Sequence, residues 1–224
     1  MRAIAFHTMQ KFRLPSISVA LIPVYQWLAH SLTRFVYRPH YIGFENVPAT
    51  GPAILVSNHV SYVDGPIIDA GCKRPVRYLI DEGIYNLPFV NYIMKLDRGI
   101  PIGSSKQSVE RAFDEISETL RAGELVCIFP EGYLTYTGGL GRFRYGIESM
   151  IKRDPVPVVP IALAGLWGSV FSRKYLKSHF RWLPREWLRG KVTALCGPAI
   201  APEQVSVNYL QEVILRLKYS ISGR

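Results

Sequence analysis

Ala53-Ile54-Leu55-Val56-Ser57-Asn58-His59-Val60-Ser61-Tyr62-Val63-Asp64-Gly65 is the stretch on which the reading of this chain turns. Its first four residues are apolar without a break, the pattern of a strand buried on both faces of a sheet. Polar residues and an imidazole follow at once, so His59 is expected where a strand ends and a loop or helix begins, a common place for chemistry in an α/β sheet. Asp64 comes five positions later. On a regular helix five steps turn a side chain by roughly 140°, so the two groups meet only if the chain between them is irregular. If they meet, the carboxylate can orient the ring while the imidazole takes a proton, a general-base arrangement. If they do not, they are a histidine at a helix start and an aspartate capping its first turn.

Outward from this stretch, helical and extended patterns alternate. Tyr41 to Glu45, Val76 to Ile80, Glu124 to Phe129, Val156 to Leu163 and Val192 to Cys196 read as strands. Between the second and third of these, Val109, Ala112, Phe113, Ile116 and Leu120 recur at helical spacing. Ser104 and Gln107 would form a capping box before that run and Gly123 would stop it. A last helix, opened by Pro202, carries Leu210, Val213, Ile214 and Leu217 on one face. The expected fold is α/β, a mixed, largely parallel sheet flanked by helices. At 224 residues there is room for one sizeable domain, taken as residues 41–224, with residues 1–40 as an attachment.

The attachment is apolar from Ile17 to Tyr37, with Tyr25 and Trp27 inside and Arg34 and Arg38 after it. Pro23, Gln26, His30 and Ser31 break the roughly 20 apolar residues that a spanning helix needs. The segment therefore reads as an amphipathic helical element lying in a membrane interface, with packing onto the domain and true spanning as the other possibilities. The net charge of +10 favours anionic partners. Arg173, Lys174, Lys177, Arg181, Arg185, Arg189 and Lys191, interleaved with Tyr175, Phe180, Trp182 and Trp187, suit a lipid headgroup layer or a solvated loop. Neither zinc-finger spacing nor a compact basic run supports a nucleic-acid partner. Cys72, Cys127 and Cys196 have no metal-ligand or disulfide spacing, so no metal site is expected.

Three further stretches keep the first one company: Lys95-Leu96-Asp97-Arg98-Gly99-Ile100-Pro101-Ile102, Ile128-Phe129-Pro130-Glu131-Gly132, and Val156 to Leu163. In this order and separation the four resemble the blocks of the glycerophospholipid acyltransferase family. Gly132 to Leu140 and Gly165-Leu166-Trp167-Gly168-Ser169 look like the acyltransferase domain of bifunctional acyltransferase/acyl-carrier-protein synthetases. The resemblance implies transfer of a fatty acyl group from a thioester to the free hydroxyl of 1-acylglycerol-3-phosphate or lysophosphatidylethanolamine. It implies no cofactor and an acyl-CoA or acyl-acyl carrier protein donor, while the apolar attachment and the three thiols without a disulfide pattern fit a peripheral place on membrane phospholipids at the cytoplasmic face of the inner or plasma membrane.

On the same resemblance His59 is the base and Asp64 its partner, Arg98 contacts the acceptor phosphate, and Glu131 with Gly132 helps hold the acceptor. Pro160 shapes the acyl pocket. One departure stands out. The commoner phosphatidate-forming members carry Thr and Arg after Glu-Gly, where this chain has Tyr133 and Leu134. Their phosphate ligand is absent at that place, and Arg142, Arg144 and Lys106 are the substitutes available. A catalytically silent lipid-binding protein on the same fold is the competing expectation.

Overall fold

Residues 22–173 and 191–222 are described by the structure, a computed structural model. Ala53–Ser57 forms β2, buried at every position. It is enclosed because β5 (Leu125–Ile128) and β6 (Val158–Ala164) both run parallel beside it. Beyond β5 lie β3 (Val76–Asp81) and β4 (Ile100–Ile102), again parallel. Beyond β6 lies β7 (Thr193–Cys196), antiparallel to it, and then β1 (His40–Ile42), parallel to β7. The order is β1-β7-β6-β2-β5-β3-β4. The expected mixed, largely parallel sheet is present, with β1 and β7 reversed relative to the other five.

Successive strand residues point to opposite faces, and both faces are covered. On one face Ile54, Val56, Val126, Ile128 and Val158 pack against α5 (Lys106–Arg121), α6 (Gly146–Arg153) and α7 (Val207–Ser222). On the other, Ala53, Leu55, Cys127, Val159 and Ile161 pack against Ile67 and Ile68 of α2 (Asp64–Gly71) and Tyr37 of α1 (Ile22–Tyr37). Two short helices, α3 (Glu82–Tyr85) and α4 (Pro88–Leu96), join β3 to β4.

Several boundaries differ from the sequence reading. The first strand stops at Ile42, because Gly43 takes a positive φ of 73° and turns the chain into a 3₁₀ turn over Phe44–Asn46. Ser105, not Ser104, caps α5, its side chain accepting from the Ser108 N–H. Pro202 opens a separate 3₁₀ turn and α7 begins at Val207. Pro23 sits in the first turn of α1, where its missing N–H leaves the helical ladder intact. The expected basic and aromatic residues from Lys174 to Arg189, and residues 1–21, lie outside the described residues.

Helix α1 docks through its polar side. Tyr25 donates to Asp97 at 3.4 Å, His30 Nε2 meets Asp69 at 2.5 Å, and Arg34 donates to the Ala70 carbonyl. Its opposite side exposes Val24, Trp27, Leu28, Leu32 and Phe35. No described helix is long and apolar enough to cross a membrane.

Candidate active site

Adjacent strands β2 and β5 send their chains to opposite faces and opposite directions. The chain leaving β2 goes through α2 to β3, and the chain leaving β5 goes through α6 to β6. Their carboxyl ends therefore bound a crevice, the switch point at which open α/β sheets bind ligands. His59 lies just past the end of β2 and Glu131 just past the end of β5.

Residues 58–63 are not helical, and this irregularity brings His59 and Asp64 together. His59 Nδ1 lies 2.8 Å from Asp64 Oδ2. The same oxygen accepts from the N–H groups of Val60 at 2.6 Å and Ser61 at 2.9 Å, while the Asp64 N–H donates to the Ser61 carbonyl. The turn thus closes on the carboxylate, which is fully buried as the first residue of α2. A carboxylate can only accept, so Nδ1 carries the proton and Nε2 keeps its lone pair. The imidazole is 21% exposed, enough to meet a substrate. Asp64 Oδ1 is buried and accepts from no described group.

The ring is also held from the side. Phe129 stacks on it with centroids 4.1 Å apart and planes at 14°, and Tyr78 stacks behind Phe129 at 6.5 Å. Asn58 exchanges two hydrogen bonds with the Leu163 backbone, at 3.0 and 2.7 Å, tying the end of β2 to β6.

Glu131 lies just past β5 and beside His59, as its position after the strand implies. Its carboxylate is fully buried, Oε1 accepting from the His59 N–H at 2.7 Å and Oε2 from the Gly141 N–H at 2.6 Å. Burial pushes its carboxyl above the usual carboxylate range, and those two N–H donors pull it partly back. Glu131 braces the backbone of His59 against the loop 132–141, which also reaches His59 through Thr135 N–H to the His59 carbonyl at 2.9 Å. Gly132 has a positive φ of 71°, which a side chain rarely adopts. A Cβ there would come within 2.6 Å of Arg144 Nε.

Arg98 and Pro160 are not brought to this crevice. The Arg98 guanidinium pairs with Glu124, which precedes β5 at the amino end of the sheet, at 2.9 Å. The five residues of β2 alone separate the two ends by ~16 Å. Pro160 is buried in β6 opposite Val56, with its ring beside Gly197, on the α7 side of the sheet. Its missing N–H is tolerated because the β6–β7 ladder bulges there, with Pro160 and Gly197 between the Ile161–Cys196 and Val158–Ile200 pairs. Among the described residues no three His, Cys, Asp or Glu side chains are placed to share a metal ion. Burial raises the thiols of Cys72 and Cys196 to about 12, so neither is a poised nucleophile.

The Acyltransferase family pattern matches residues 38–164, over half of the chain, from β1 to the end of β6. The chain belongs to the Acyltransferase family. Within this family it is similar to a chloroplastic 1-acyl-sn-glycerol-3-phosphate acyltransferase from Arabidopsis thaliana, 30% identical over 62% of this chain and 39% of that protein. It is also similar to a 1-acyl-sn-glycerol-3-phosphate acyltransferase from Pseudomonas aeruginosa, 25% identical over 88% of this chain and 71% of that one. The chain spans about two fifths of the length of the plant relatives it matches. Among solved structures, this acyltransferase-family chain superposes on the 1-acyl-sn-glycerophosphate acyltransferase PlsC from Thermotoga maritima with a TM-score of 0.69 and 25% identity, covering 92% of this chain and 80% of that one.

The sequence reading singled out His59 and Asp64, which the structure joins, and named Phe129 without giving it a role. The stack could not have been foreseen from spacing, because Phe129 meets His59 only through the pairing of β2 with β5.

Proposed function

We propose that this chain transfers a fatty acyl group from an acyl thioester to the free hydroxyl of a lysoglycerophospholipid, 1-acylglycerol-3-phosphate or lysophosphatidylethanolamine. The observation that carries the reading is the His59–Asp64 pair. Nδ1 is committed to a buried carboxylate, while the ring as a whole stays 21% exposed past the end of β2 and Nε2 is left for a substrate. An alcohol is a poor nucleophile until its proton is taken, and a placed imidazole base contributes roughly 10²- to 10⁴-fold. Nε2 removes the hydroxyl proton as the oxygen attacks the thioester carbonyl. Asp64 holds the tautomer and stabilises the imidazolium that forms. Collapse of the tetrahedral species breaks the C–S bond and releases the donor thiol, either coenzyme A or acyl carrier protein. No acyl-enzyme is needed.

The lipid acceptor is met at a membrane surface. The apolar row Val24, Trp27, Leu28, Leu32 and Phe35 of α1 faces away from the domain. Phe89, Tyr92 and Ile93 of α4 are exposed as well, and Tyr25 to Asp97 ties the two helices together. An exposed apolar helix face with an aromatic at its edge suits the headgroup and acyl boundary of a bilayer. On this reading the enzyme is peripheral, on the cytoplasmic face.

Initial rates with a panel of lysophospholipids and both donor types, for wild type and His59→Ala, test the proposal. The expected result is thioester consumption that depends on an added lysophospholipid and falls at least 10²-fold in the variant. Equal turnover by a folded His59→Ala chain and wild type would remove His59 from the chemistry, and turnover by neither on any acceptor would favour a silent lipid-binding protein.

A further inference from the structure

We infer that Arg144 is the residue that binds the phosphate of the acceptor. The inference rests on the acyltransferase reading and deepens it, since the acceptor's phosphate sits on the carbon next to its reacting hydroxyl. A phosphate ligand must therefore lie close to His59.

Arg144 meets that condition. Its backbone N–H donates to the Pro130 carbonyl at 2.9 Å, which anchors it beside the turn that follows β5. Its guanidinium lies across the bare Cα of Gly132, since a Cβ there would sit 2.6 Å from Nε and 2.7 Å from Cζ. Gly132 follows Glu131, whose carboxylate grips the His59 backbone. The guanidinium thus lies on the turn whose Glu131 holds the His59 backbone.

Its charge is available as well. Arg77, Arg98, Arg121, Arg153 and Arg216 each reach a carboxylate within 4 Å, whereas Arg144, like Arg142, pairs with none among the described residues, and of these two it is Arg144 whose guanidinium lies on Gly132. The nearest acid in the turn, Glu131, is fully buried with both oxygens engaged by N–H groups. Arg173 is at the far side of the same loop, but its guanidinium donates to the Leu134 carbonyl and stacks on Tyr136 at 3.7 Å, which commits it to holding the loop. An exposed planar fork with no acidic partner, beside a base that activates a lipid hydroxyl, fits a phosphate oxygen pair. Arg144 thereby takes the place that Leu134 leaves empty and that Arg98, bound at the other end of the sheet, cannot fill.

The test compares wild type, Arg144→Gln and Arg144→Lys on lysophosphatidate and on monoacylglycerol of the same chain length. Loss of one charge-assisted contact should raise the KM for lysophosphatidate roughly 10- to 100-fold. Lysine should recover part of it. The kcat and the monoacylglycerol kinetics should change less than threefold. An unchanged KM, or an equal loss on both acceptors, would overturn the assignment. Equilibrium binding of lysophosphatidate to His59→Ala and to His59→Ala/Arg144→Gln separates this inference from the reading beneath it. If wild type acylates nothing, the acyltransferase reading fails, and weaker binding by the double variant still upholds Arg144. Equal binding by the two refutes Arg144 whatever the transfer assay shows.

Discussion

The two ends of the parallel strands hold similar charged residues and use them differently. At the amino ends, arginines are engaged by their neighbours: Arg98 by Glu124, and Arg74 through its two terminal nitrogens by the carbonyls of Gly51 and Gly123. At the carboxyl ends, the acids are turned inward onto backbone N–H groups, Asp64 onto Val60 and Ser61 and Glu131 onto His59 and Gly141. That leaves the imidazole partly exposed and the Arg144 guanidinium exposed with no carboxylate partner among the described residues. The first arrangement stabilises loops. The second spends its acids on holding one short segment rigid, and a general base works only when its geometry is fixed in advance. The difference teaches that a charged side chain marks the reactive end of this sheet when its opposite number is occupied elsewhere.

The sharpest way to break that contrast is Asp64→Asn. It keeps the volume but cannot accept from His59, Val60 and Ser61 as a carboxylate does, so turnover should fall roughly 10²- to 10⁴-fold. Steady-state kinetics on protein verified as folded by circular dichroism checks this, and a loss below tenfold would mean that the carboxylate only closes the turn before α2. Next comes Glu131→Gln. Its amide must turn an N–H toward either the His59 or the Gly141 N–H, which unpairs a buried donor and should cost about 1–3 kcal/mol of stability. Activity should fall about tenfold through kcat, because the segment carrying the base loosens. Chemical denaturation and kinetics together would separate a brace from an acceptor ligand, which would show instead as a raised KM.

Away from both ends, under α1, burial and the nearby Asp69 raise the Asp97 carboxyl to about 6. Tyr25 and His30 face the same cluster. A carboxyl whose folded pKa lies above its unfolded value of roughly 4 favours folding when protonated. That contribution is present below pH ~4 and lost as pH rises through ~6. Asp97→Asn should therefore raise the stability of the chain at pH 8, by on the order of 2 kcal/mol, and leave it nearly unchanged at pH 4. Thermal melts at the two values check the sign, and an equal shift at both would remove the titration from the account. The smallest effect is expected at the amino end. Arg98→Ala breaks an exposed ion pair, so activity should stay within twofold and stability within about 1 kcal/mol. A large rise in acceptor KM would return Arg98 to the site.

Much of the strand-and-helix frame was legible because burial writes a local pattern. The apolar run Ala53 to Val56 is a strand, and the spacing of Ala112, Ile116 and Leu120 is the inner face of α5. Boundaries were less so. Ser104 and Ser105 are equally good caps by type, and only the backbone angles chose Ser105. Helix α1 was half legible: its apolar residues were plain, but the domain takes its polar side through His30 and Arg34, a choice set by Asp69 and Ala70 on α2.

The local chain by itself determined the reactive pair, since His59 and Asp64 are five positions apart and their contact depends only on the short turn between them. Which other side chains join that pair was decided by the tertiary structure alone. Phe129 and Glu131 reach His59 because β5 pairs beside β2, Arg144 is tied to the turn after β5 through the Pro130 carbonyl, and Arg98 is kept away because its side chain turns to the opposite end of the same sheet. Strand pairing, unlike a turn, joins residues whose separation along the chain carries no information about their distance in space.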